Sequence, residues 1–139
     1  RHDMYWASLQ IRPGAKGIST DVCVPISRLA ECVVAAQDKA ADMGLISPIV
    51  GHVGDGNFHC LLLIDIDNAE ERARAGDFVS WLNQMAISMD GTCTGEHGIG
   101  QGKRAYLNAE LGETTRFMAA IKVALDPENI LNPGKILID

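Results

Sequence analysis

The hydrophobic period changes sharply at Pro25. Before it, Lys16-Gly-Ile-Ser-Thr-Asp-Val-Cys-Val-Pro25 is rich in β-branched residues and follows Pro13-Gly14, which predicts a strand. After it, Ile26, Leu29, Ala30, Val33, Ala36, Ala40 and Met43 recur at three- and four-residue steps as far as Gly44, which predicts an amphipathic helix. Such a helix must bury its apolar stripe, and a sheet is the cover this order provides. Two more apolar runs, Ser47 to Val53 and Phe58 to Ile66, flank Gly54-Asp55-Gly56-Asn57, whose residues tolerate positive φ, so an antiparallel pair is expected there. Asn68 followed by Glu71 fits a helix cap, and Ala75, Phe78, Leu82, Met85, Ala86 and Met89 then form one face as far as Asp90-Gly91. A third helix is expected over 113–125, carrying Phe117, Ile121, Ala124 and Leu125 and stopped by Asp126-Pro127. Residues 91–102 read as a loop or an interrupted strand, and Asn132-Pro133-Gly134 fits a type II turn. The order predicts an α+β fold, a mainly antiparallel sheet with helices packed on one face, and residues 1–139 are expected to be one domain.

Composition narrows the partners. With 139 residues, 47% of them apolar, the chain can build a core without disulfides or a structural metal. Even the longest apolar runs, Cys60 to Ile64 among them, are far too short to cross a bilayer. Twelve basic against eighteen acidic side chains, net −6, leave no basic stripe for a phosphate backbone, so nucleic acid is not an expected partner. The four cysteines contain no C-x-x-C pair and read as reduced core thiols, which fits a reducing compartment. The chain opens at Arg1 and reads as part of a longer polypeptide.

Eight of the fourteen glycines and three of the four histidines crowd into Gly51-His-Val-Gly-Asp-Gly-Asn-Phe-His59 and Gly91-Thr-Cys-Thr-Gly-Glu-His-Gly-Ile-Gly-Gln-Gly102. Glycine in strands costs stability and adds nothing to a core, so such runs mark tight turns or the approach of a ligand. If His52 and His59 are cross-strand neighbours, their side chains share a face at a spacing that suits one divalent ion. Glu96 would add an oxygen, leaving coordination positions open. The alternative is two core histidines satisfied by backbone groups, with Glu96 in solvent. His97 points away from Glu96 in an extended chain and can act as a base, or it is a surface histidine. Asp55, between two glycines, reads as satisfying loop amides.

The windows GHVGDGNFH and GTCTGEHGIGQGKR, the closing DPENILNPGKIL and the opening RPGAKGISTDVCVPISRL resemble the carboxy-terminal substrate domain of FAD-linked oxidases of the D-lactate dehydrogenase (cytochrome), glycolate oxidase and D-2-hydroxyglutarate dehydrogenase type. The resemblance implies a C-terminal substrate and cap domain whose N-terminal FAD-binding domain lies outside this chain, so the isolated piece is expected to be inactive. It implies His52, His59 and Glu96 as ligands of zinc or manganese, and His97 as the base that takes the 2-hydroxyl proton while C2 hydride passes to FAD. Arg1 and Lys16 fall where relatives hold the substrate carboxylate, and Asn57 and Asn132 where relatives approach the flavin. The expected substrate is a small D-2-hydroxy acid, with D-lactate ahead of glycolate or D-2-hydroxyglutarate. Leu61 stands where relatives specific for 2-hydroxyglutarate present asparagine, and an apolar residue there is a poor host for a second carboxylate. The partners implied are the chain's own FAD domain and an electron-accepting protein or quinone. A homodimer stays open, and the expected location is cytoplasmic or peripheral to an inner membrane. Two other classes use the same residues. A flavin-independent metal hydrolase or non-haem iron oxygenase shares the two-histidine, one-carboxylate set, and a non-catalytic binding module would keep only the fold.

Overall fold

A computed structural model describes residues 3–137. The chain forms two compact units, residues 1–95 and 96–139.

The first unit is built around one strand, β4 (Asn57–Ile64), whose eight residues are all buried. Three strands pair with it, all antiparallel: β1 (Lys16–Ser19) along 61–64, β2 (Val22–Cys23) along 57–58, and β3 (Ile49–His52) along 57–60. The antiparallel pair expected around Gly54 to Asn57 is β3 and β4, joined by a 3-10 turn over Val53–Asp55. Gly56 closes that turn at φ 76°, and a Cβ there would strike the carbonyl oxygen of Val24. The strand expected over 16–25 is corrected to two pieces with a break at Thr20-Asp21. The register survives the break, since Ser19 faces Leu61 and Val22 faces Phe58. Asp21 therefore stands beside His59.

Alternation along β4 gives the sheet two different faces. Phe58, Cys60, Leu62 and Ile64 enter the main core with Leu29, Cys32, Ala36 and Ala40 of α2 (Ile26–Asp42) and Ala75, Phe78, Leu82 and Ala86 of α3 (Ala69–Ser88). Each large apolar side chain buried there contributes roughly 1.5–3 kcal/mol. The cap on α3 forms in part as expected: Asn68 Oδ1 accepts from the amides of Glu70 and Glu71. The Glu71 carboxylate turns instead to Arg12 and to the amide of Asp65.

On the other face, Leu61 and Leu63 form a small second cluster with Ala15, against which Tyr5 and Leu9 of the short helix α1 (Met4–Leu9) pack. This covering helix was not foreseen from the sequence; the two long helices do share one face. At the start of β4 the same second face carries Asn57 and His59. There the sheet is polar.

The second unit holds α4 (Arg104–Leu111), a 3-10 turn over Gly112–Thr114, and α5 (Thr115–Leu125). The sequence reading leaves 103–112 unassigned, and the third helix begins at 115, not 113. Helix α5 ends at Asp126 as expected. The reason is wider than the following proline, because the Asp126 carboxylate accepts from the amides of Ile130 and Leu131 and from Lys122. These donors, Lys122 first, hold its carboxyl below the usual range. The amide of Ile136 donates to the carbonyl of Gly100 at 2.7 Å, which ties the end of this unit to its start.

Candidate active site

The polar end of β4 begins with a substitution in the hydrogen-bond ladder. Thr20 N–H donates to the carbonyl of Cys60 at 2.9 Å, an ordinary ladder bond. The returning bond is different: Cys60 N–H donates to the Thr20 hydroxyl at 2.8 Å, not to its carbonyl. The freed Thr20 carbonyl lies 2.9 Å from His59 Nδ1. A carbonyl can only accept, so Nδ1 carries the hydrogen and Nε2 of the neutral ring carries the lone pair. His59 is 8% exposed, so the sheet rather than solvent surrounds its ring.

Asp21 and Asn57 complete the polar floor. Asn57 donates from Nδ2 to Asp21 Oδ1 and to the Val22 carbonyl, both at 2.9 Å. Its own Oδ1 is buried without a hydrogen-bond partner. Asp21 Oδ2 accepts from the Thr94 hydroxyl at 2.8 Å and from the Gly95 amide at 3.0 Å. Asp21 Oδ1 also lies 3.8 Å from His59 Nδ1. Gly95 is required by this closeness, since a Cβ there would collide with the Asn57 side-chain amide.

The register corrects the relation between the two histidines. His52 faces Asn57 and His59 faces Val50, so the two are not directly opposed. Opposed residues share a face, as do residues two apart, so His52 and His59 are diagonal neighbours on one face. Their Cα atoms are then about 7–8 Å apart, still within reach of a common ligand for side chains of this length. His52 is half-buried.

Lys16 stands apart. It faces Ile64, five residues along β4 from His59, or roughly 16 Å at ~3.3 Å per residue, and on the face turned to the main core. Its side chain is exposed. Arg1 lies outside the described residues. Glu96 and His97 open the second unit and are exposed, as is Asn132, which has φ 49° beside Gly134 at 69°. Asp55 is exposed, and its carbonyl accepts from the Cys23 thiol at 3.1 Å.

Sequence reasoning missed Thr20, Asp21 and Thr94. The available signal was Thr20-Asp21 interrupting a β-branched run, where a charge is costly unless it has partners.

The family profile for the C-terminal domain of FAD linked oxidases matches residues 1–136. The chain belongs to that family. Over 99% of its length this FAD-oxidase domain is 50% identical to the probable mitochondrial D-lactate dehydrogenase of Danio rerio, covering 28% of that protein. It is 43% identical to the mitochondrial D-lactate dehydrogenase [cytochrome] of Arabidopsis thaliana over 99% of the chain and 24% of that protein. It is 42% identical to glycolate oxidase subunit GlcD of Bacillus subtilis over 86% of the chain and 26% of that protein. The FAD-oxidase domain thus spans about a quarter of the length of the curated relatives it matches. Among solved structures, 4-ethylphenol oxidase from Gulosibacter chungangensis, in complex with isoeugenol, matches 94% of the chain and 26% of its own at a TM-score of 0.70 and 20% identity. That likeness supports the α+β fold. Among the described residues no helix is long and apolar enough to cross a membrane.

Proposed function

We propose that this chain is the substrate domain of a longer FAD-dependent dehydrogenase that oxidises a D-2-hydroxy acid, D-lactate first, to its 2-keto acid. The observation that carries the reading is the 50% identity, over nearly the whole chain, to a protein named a D-lactate dehydrogenase. The polar end of β4 supports it with suitable chemistry.

His59, His52 and Glu96 would hold a divalent ion, zinc or manganese. Two imidazoles sharing a face support this, and His59 gives Nδ1–H to a backbone carbonyl, the arrangement that fixes a ligating histidine with Nε2 as its donor atom. When bound, such an ion would supply Lewis-acid polarisation of the substrate hydroxyl and carboxylate, and FAD would serve as the hydride acceptor. His97 would take the 2-hydroxyl proton on a ring nitrogen. Arg1 remains the proposed carboxylate partner; Lys16, on the opposite face of the sheet from His59, is not proposed beside it. Asn57 and Asn132 remain the proposed flavin contacts, Asn57 through Oδ1 alone because Nδ2 is engaged. Leu61 follows His59 on the same face and is walled by Tyr5, Leu9 and Ala15, which suits a short aliphatic acid over a dicarboxylate.

The test is anaerobic bleaching of the flavin in the full-length protein by D-lactate, L-lactate, glycolate and D-2-hydroxyglutarate in turn. Fast bleaching by D-lactate alone is the expected result. No bleaching by any of the four, in protein replete with metal and FAD, overturns the reading.

A further inference from the structure

Asp21 is a carboxylate only 2% exposed, at the break between β1 and β2. It receives hydrogen bonds from three directions: Asn57 Nδ2 on one oxygen, and the Thr94 hydroxyl and the Gly95 amide on the other. These donors come from two segments far apart in sequence. Asn57 begins β4 two residues before His59, and Thr94 and Gly95 are the last residues before Glu96 and His97. An apolar side chain could close the same gap without the cost of removing a charge from water. A carboxylate differs in offering several acceptor directions at once, and at least three of them are used.

We propose that Asp21 is a positioning residue for the substrate-handling groups of this domain. It anchors the peptide that leads into Glu96 and His97 to the strand segment whose Thr20 carbonyl orients His59. The inference rests on the functional reading given to His59, Glu96 and His97. The role of Asp21 is to act through the residues it fixes.

Two substitutions in the full-length flavoprotein test this. Asp21→Asn puts an amide donor among existing donors, so at least one loses its acceptor. Thr94→Val removes one donor and leaves the carboxylate. Three readouts are followed: amide exchange over residues 92–97, the limiting rate of anaerobic flavin reduction by D-lactate, and the D-lactate concentration at half-saturation. The expected result is retained flavin, faster exchange over 92–97, and a limiting rate down about 10–100-fold for Asp21→Asn and less for Thr94→Val, with half-saturation moving less than the rate. A purely structural tie would raise exchange and leave the limiting rate of the folded, flavin-loaded protein intact, and that outcome overturns the proposal. Unchanged exchange in both variants overturns it too. If Asp21→Asn does not fold, Thr94→Val decides. Wild-type protein that no 2-hydroxy acid reduces is failure of the functional reading, and the proposal falls with it; a reduced wild type beside unimpaired variants sinks the proposal alone.

Discussion

The Thr20 carbonyl accepts from His59 Nδ1 at 2.9 Å because the Thr20 hydroxyl has taken over the bond that this carbonyl would otherwise make to Cys60 N–H. A side-chain oxygen repairs the ladder, and a backbone oxygen becomes the fixed orienter of an imidazole. Thr20→Val keeps the shape and removes the repair. Either Cys60 N–H is left buried without a partner or the carbonyl returns to it and releases His59. Urea unfolding of this chain should show a loss of about 1–3 kcal/mol for Thr20→Val and much less for Thr20→Ser. A valine variant as stable as wild type would contradict the exchange of partners.

Leu61 tests the basis of substrate size. Leu61→Asn introduces an amide two residues from His59, within the cluster of Ala15, Leu63, Tyr5 and Leu9. The kcat/KM for D-lactate should fall by at least about tenfold, and the ratio for D-2-hydroxyglutarate over D-lactate should rise. A cost in stability of about 2–3 kcal/mol is expected because the position is buried. An unchanged ratio removes Leu61 from the specificity argument.

Acid stability has an identifiable contributor. Glu71 is held at about 2, first by the two hydrogen bonds from Arg12 and then by the Asp65 amide. A carboxyl depressed in the fold stabilises it above the unfolded value, near 4.3, and that contribution is lost as pH falls from there toward 2. Glu71→Gln should therefore flatten the stability profile of this chain between about pH 4.5 and 2 while lowering it at neutral pH. An acid limb identical to wild type would exclude this pair as a source.

The thiols should be slow to react. Burial pushes Cys32 and Cys60 up to about 11 and raises Cys23 as well, so little thiolate exists at pH 8. Cys23, Cys32 and Cys60 carry free thiols, and of the four cysteines Cys23 alone is partly exposed. A native titration with a disulfide reagent should show Cys23 first and slowly, with all four reacting after unfolding. Prompt reaction of Cys32 or Cys60 would mean that the main core opens readily.

Much of this architecture was legible because periodicity reports burial directly. The α2 and α3 stripes led by Leu29 and Phe78 face the core, and the glycine-rich hairpin sits between β3 and β4. Legibility failed where a residue's partner is distant in sequence. Nothing near Asp21 announces Thr94, and nothing near Thr20 announces His59, 39 residues on. The pairing of His52 with Asn57 rather than His59 follows from the turn length, since Val53–Asp55 and Gly56 fill the gap between them. Helix α4 escaped because its eight residues bury only Leu107, too little to write a stripe. The family motifs drew attention to Glu96 and His97, which periodicity alone leaves as loop residues.

The division of labour among the histidines is the central claim, and elemental analysis beside flavin reduction tests it most directly. The full-length protein and its His59→Ala and His97→Ala variants are each assayed for bound zinc and manganese and for anaerobic reduction by D-lactate. The account predicts that His59→Ala loses both metal and reduction, whereas His97→Ala keeps its metal and is reduced orders of magnitude more slowly. Equal metal retention in both variants, or equal loss, would contradict it.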